Sequence, residues 1–97
     1  MNTGIVKSFL MIRNTKKGDR GYGYVTIKDG RDIFFDLSDY KRFDKGNFSP
    51  DLLSPEREIG PGEIVVFGDE VSFGSGLIKV VPWGFLKLKP EPEPKQN

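Results

Sequence analysis

Gly21-Tyr-Gly-Tyr-Val-Thr-Ile27 and Asp32-Ile-Phe-Phe-Asp-Leu37, separated by Lys28-Asp-Gly-Arg31, decide how the rest of the chain is read. In an extended strand, successive side chains point to opposite faces. Tyr22, Tyr24 and Thr26 then share one face of the first segment, and Gly23, Val25 and Ile27 the other. In the second, Asp32, Phe34 and Asp36 oppose Ile33, Phe35 and Leu37. Carboxylates are almost never fully buried unless paired, so the Val/Ile and Ile/Phe/Leu faces belong to the core. Tyr22, Tyr24 and Phe34 are therefore predicted to face solvent.

The turn between them tests this assignment. A two-residue loop at Asp29-Gly30 sets Val25 opposite Phe34, a core residue against a surface one. Facing residues lie on the same side of a sheet, so that register fails. A three-residue loop, Lys28-Asp29-Gly30, sets Tyr24 opposite Phe34 and Tyr22 opposite Asp36. It also puts Gly30 where such loops need a left-handed residue. The resulting Tyr24–Phe34 pair contributes roughly 0.2–1 kcal/mol to the hairpin.

A chain of 97 residues is one small domain with a modest core. Its net charge is +1, so no global field drives it onto an anionic polymer. The charge is uneven, however. Residues 1–32 hold seven Lys/Arg against three Asp, a net of +4, and the remainder nets −3. That asymmetry fits either a basic edge near the aromatic hairpin or ordinary solvated surface. There is no Cys and no His, which leaves no disulfide framework, no thiolate metal site and none of the usual nucleophile–base pairs. Neither a cofactor nor catalysis is expected. No apolar run has signal-peptide form or membrane-spanning length, so a cytoplasmic protein with no membrane partner is expected.

Gly4–Ile12 reads as a first strand whose faces are hard to assign, because Phe9-Leu-Met-Ile12 is continuously apolar. Its second half is either buried on both sides or bent. Asn14–Gly21 reads as a mobile basic loop. Ser38–Gly62 is a long connection tacked down by Phe43, Phe48, Leu52 and Leu53, with room for one helical turn capped by Ser38. Glu63–Phe73 and Leu77–Trp83 read as the last two strands, with Gly68 marking a bend or bulge. Trp83 is assigned to the core or its rim. Gly21 and Gly23 are assigned to tight packing between strands. Strands are predicted near 4–13, 21–28, 31–37, 63–73 and 77–84. They make an all-β, five-stranded antiparallel barrel over residues 1–88, followed by a disordered, Pro-rich tail at 89–97.

Four stretches resemble the cold-shock domain, an OB-fold barrel that binds single-stranded RNA and DNA. Gly4-Ile-Val-Lys-Ser-Phe9 is similar to the family's first strand, and Arg20-Gly-Tyr-Gly-Tyr-Val25 to its first ribonucleoprotein motif. Asp32-Ile-Phe-Phe-Asp-Leu-Ser38 is similar to the second motif. Either Pro61–Phe67 or Phe67–Phe73 is similar to the start of strand four. The chain departs from the family at Ser8, where a base-stacking Trp is usual, at Asp36 in place of an outward His, and at Leu37 in place of a Phe. Asp36 would repel phosphate on the binding face. The resemblance implies a site built from Lys7, Phe9, Arg20, Tyr22, Tyr24 and Phe34, with Lys16 and Lys17 of the basic loop tracking phosphates. The expected partner is single-stranded RNA or DNA, bound by a monomer or weak dimer. The alternative is a protein-interaction OB module, which the missing aromatics and Asp36 favour and whose partner would dock on the exposed Tyr and Phe.

Overall fold

A computed structural model describes residues 2–51, 55 and 57–86. The described strands are β1 (Asn2–Thr15), β2 (Gly18–Ile27), β3 (Asp32–Asp36), β4 (Phe43–Asp44), β5 (Asn47–Phe48), β6 (Ile64–Phe73) and β7 (Leu77–Phe85), with a single 3-10 turn at Leu37–Asp39. Five of them close into a barrel in the order β1-β2-β3-β7-β6. The architecture is all-β and compatible with an OB-like fold.

The decisive hairpin adopts the three-residue loop. Tyr24 faces Phe34 and Tyr22 faces Asp36, and Gly30 takes φ 91°. Val25, Ile33 and Phe35 point into the barrel, where they meet Val6, Val65, Phe67, Val80, Trp83 and Phe85. Trp83 is wholly buried. Its ring lies edge-on to Phe35 at 4.8 Å, and its indole N–H donates to the Asp36 carbonyl at 2.7 Å. Gly23 is required by crowding, as expected: a Cβ there would collide with the Ser8 carbonyl and lie 2.8 Å from the Phe9 Cα.

The expected all-antiparallel barrel is corrected. β3 runs parallel to β7, through one paired position, Phe34 opposite Lys79. The cause is parity: directions cannot alternate all the way round a closed ring of five strands, so one neighbouring pair must be parallel. The basic loop at Asn14–Gly21 is corrected as well. Thr15 pairs with Gly18, leaving a tight turn at Lys16-Lys17 before Gly18 at φ 92°. β1 and β2 thus form a long hairpin that projects as a ribbon.

Gly68 marks no bulge. Phe67 opposite Trp83 and Asp69 opposite Val81 keep one register across it. Glycine is needed there because a Cβ would lie 2.9 Å from the Pro82 ring on β7. The irregularities are in β1 instead, where the register shifts between Val6 and Ser8, a bulge inside the barrel, and again between Ile12 and Thr15, near the ribbon tip. The helical turn starts two residues earlier than a Ser38 cap implies and is capped by Asp36, whose carboxylate accepts from the Ser38 N–H.

Within the long connection, Tyr40 packs on Trp83 at 5.1 Å, and the Lys41 N–H donates to the Trp83 carbonyl. β4 and β5 pair around Lys45-Gly46, both at positive φ, the turn geometry that two-residue hairpins favour. Phe43 is buried and stacks edge-on with Phe48 at 5.0 Å. Arg57 sits over the Phe85 ring at 4.1 Å and pairs with Glu63. Leu52, Leu53 and the 89–97 tail lie outside the described residues.

Gly23→Ala should cost roughly 3 kcal/mol, because the atoms it meets are backbone and have no room to yield. Gly30→Ala, which meets open space at positive φ, should cost about 1–2 kcal/mol. Urea unfolding of both variants checks the order. Equal losses would show that β1 and β2 tolerate separation at Gly23.

Candidate functional site

The solvent face of the barrel can be built up row by row from the register. Ile12 faces Arg20, Leu10 faces Tyr22, and Ser8 faces Tyr24 across β1 and β2. Tyr22 then faces Asp36, and Tyr24 faces Phe34, across β2 and β3. Phe34 faces Lys79, which faces Val71, and Leu77 faces Phe73 on the last hairpin. All these side chains share one side of the sheet.

Four aromatic rings cluster on this face. Phe34 is the hub, with Tyr22 at 6.1 Å and near-parallel, Tyr24 at 6.0 Å and edge-on, and Phe73 at 5.3 Å. Tyr22 is 45 % and Tyr24 46 % exposed, while Phe34 and Phe73 are half-buried. Tyr40 and Arg57 of the connection pack against Trp83 and Phe85, on the far side of the sheet from these rings. The Lys79 ammonium lies 5.5 Å from the Phe73 ring centre and pairs with Asp39 at 2.9 Å.

The sequence-derived residues separate into groups. Tyr22, Tyr24 and Phe34 come together, with Arg20 on the same face. Lys16 and Lys17 form the tip of the β1–β2 ribbon. Phe9 lies on the opposite face, with its ring 5.0 Å from Phe35 and 6.3 Å from Trp83. Lys7 sits in the bulge, and Asp32 holds its ammonium at 2.6 Å. Arg13 and Arg31 are likewise paired, with Asp19 and Glu58 and with Asp29 and Glu70. No carboxylate among the described residues pairs with Lys16, Lys17 or Arg20.

Sequence reasoning missed Phe73, Lys79, Leu10 and Ile12. The first two reach the face only because β7 closes the barrel beside β3, a neighbour that alternation does not name. Leu10 and Ile12, 52 % and 43 % exposed, look like core in an apolar run. The bulge resolves that run: Phe9 and Met11 pack on the core, and Leu10 and Ile12 face water.

An open groove of about 600 Å³ begins beside Tyr22, lined by Ile12, Lys17, Asp19, Arg20, Asp36 and Ser38 among others. Asp36 Oδ1 accepts from both the Ser38 N–H and its hydroxyl, each at 2.8 Å. The groove is therefore lined by two cations, Lys17 and Arg20, and by two carboxylates, Asp19 and Asp36. Among the described residues no group of three or more Asp, Glu, His or Cys side chains converges to hold a metal ion, and no helix is long and apolar enough to cross a membrane.

The Lys7–Asp32 contact perturbs both partners. The hydrogen bond from Lys7, then that from the Thr26 hydroxyl, lowers the Asp32 pKa, and the same pairing raises that of Lys7. Asp29 is lowered by the Arg31 backbone N–H and then by its guanidinium. A carboxyl lowered in the folded state contributes stability above its unfolded pKa and loses it as pH falls through the folded value. Both carboxyls therefore favour the fold near neutrality and cease to do so in acid.

Comparison with protein-family models, curated proteins and solved structures finds no match to this chain.

Lys7→Ala should raise the Asp32 pKa toward the ordinary carboxyl range, leaving only the Thr26 hydrogen bond to hold it down. An NMR titration of the Asp32 side-chain carboxyl checks this. An unchanged midpoint would show that Lys7 does not dwell on Asp32 in solution.

Proposed function

We propose that the aromatic face binds single-stranded nucleic acid, with bases stacked on Tyr22, Tyr24, Phe34 and Phe73 and phosphates tracked by Lys16, Lys17 and Arg20. The observation that carries this reading is the cluster of four rings on the water side of a barrel, with Arg20 on the same face and Lys16 and Lys17 at the ribbon tip, none of the three paired with a carboxylate among the described residues. Each stacked base is worth roughly 1–3 kcal/mol. In this reading the chain is a divergent cold-shock-like module. It acts without catalysis, in the cytoplasm, as a monomer or weak dimer. Lys7 contributes little, because Asp32 already neutralises it. Phe9 supports the face from beneath, through Phe35.

Exposed Leu10 and Ile12 favour a second reading, a protein-docking face, since aliphatic side chains give bases no ring to stack on. Salt separates the two: phosphate binding weakens steeply with salt through counterion release, and an apolar interface does not.

The test is anisotropy of labelled, short single strands at two salt concentrations. Tyr24→Ala should lose roughly 1–3 kcal/mol of binding and keep the salt slope. Lys17→Ala should lower the slope by about one unit, and Lys7→Ala by less. Tyr24 is half-exposed and its fold contribution is the edge-on contact with Phe34, worth roughly 0.2–1 kcal/mol, so its variant should melt only slightly below the parent. A parent protein that binds no strand, or a Tyr24→Ala variant that binds as tightly, would overturn the reading.

A further inference from the structure

We propose that Asp36 makes this face a reader of guanine, an inference that rests on the single-strand reading above. Three observations converge on it. Asp36 is the direct cross-strand neighbour of Tyr22. Its carboxylate borders the groove that opens beside that ring. Ser38 fixes the side chain by holding Oδ1 with two hydrogen bonds, while Oδ2 has no partner among the described residues.

A carboxylate offers about four lone-pair sites and donates nothing. Ser38 takes two of them on Oδ1, which leaves those on Oδ2. A base lying on Tyr22 turns its edge toward this oxygen, with its phosphate toward Arg20 and Lys17, which line the same groove. Guanine presents two adjacent donors, N1–H and the N2 amino group, to one acceptor. Adenine and cytosine each present an amino group next to an acceptor nitrogen. Thymine and uracil present one N–H flanked by two carbonyls, whose oxygens the carboxylate repels. The charge that opposes a passing phosphate thus becomes a selector for a donor edge. A well-placed polar pair of this kind discriminates by about tenfold.

The variant Asp36→Asn isolates the effect. Asn caps a turn as well as Asp does, so the fold should be kept, and a melting curve confirms it. The amide turns its NH2 toward the position of Oδ2, where it meets guanine's donors with another donor. The probes are fluorescein-labelled thymine hexamers carrying one central guanine, inosine, adenine or thymine. The parent should bind the guanine hexamer about tenfold tighter than the adenine one, a comparison that removes general purine stacking. Inosine, which lacks the N2 amino group, should fall between them. Asp36→Asn should bind the thymine hexamer at least as tightly as the parent and lose the preference for guanine over adenine. Parent binding without that preference, or a preference that survives in Asp36→Asn, overturns the assignment and leaves the single-strand reading standing. Absence of binding to all four hexamers overturns both.

Discussion

Everything in this barrel is arranged around one parallel seam. Closing five strands into a ring forces one neighbouring pair to run in the same direction, and here that pair is β3 and β7. Parallel pairing is slightly less stable per residue than antiparallel pairing, and this seam has a single paired position. Side chains supply the rest. Inside, Trp83 packs edge-on to Phe35 and its N–H reaches across to the Asp36 carbonyl. Outside, Phe34 meets Phe73, and Lys79 meets Asp39. The connection after β3 then ties down below the seam, with Tyr40 on Trp83 and the Lys41 amide on the Trp83 carbonyl.

Because the seam is held by rings, it sits beneath the candidate site. Phe34 is both the hub of the exposed cluster and the outer clasp of β3 on the last hairpin. Asp36 has a similar double duty: its carbonyl receives Trp83, and its carboxylate caps the 3-10 turn. Truncating either side chain to Ala would report on fold and binding together, whereas Asp36→Asn keeps both the backbone carbonyl and the cap. Tyr22 and Tyr24 stand one strand away and report on binding more cleanly. The cationic side of the face is similarly divided. Lys7, Arg13 and Arg31 spend their charge on carboxylates, so the N-terminal excess of positive charge narrows to the ribbon tip, Arg20 and Lys28 of the β2–β3 turn.

The hairpin was legible in the sequence down to its register, because two carboxylates and one Asp-Gly turn removed every other choice. Tyr22, Tyr24, Phe34, Val25 and Phe35 followed from it, as did the burial of Trp83. What alternation could not supply was adjacency between distant strands. Phe73 and Lys79 join the site only through closure, and closure is a property of the whole ring. Gly68 illustrates a second limit. Its sequence signal was real, but the close approach it serves comes from Pro82 on another strand. The ribbon at Lys16-Lys17 was misread as a loop because its polar, Gly-containing composition resembles one, while its strand pairing depends on backbone hydrogen bonds that composition does not report.

The bulge at Lys7 gives β1 a reading frame. Up to Val6 the inward residues are Gly4 and Val6, and beyond it they are Phe9 and Met11. Within the barrel the strand changes phase here by one residue, and its register against β2 shifts a second time out on the ribbon, between Ile12 and Thr15. Between Phe9 and Ile12, where one register holds, losing a single residue would turn the side chains that follow it to the opposite face. At position 7 the same loss would only restore strict alternation. β1 thus carries one spare residue inside the barrel, at the place where it leaves β6 and runs on toward the projecting ribbon.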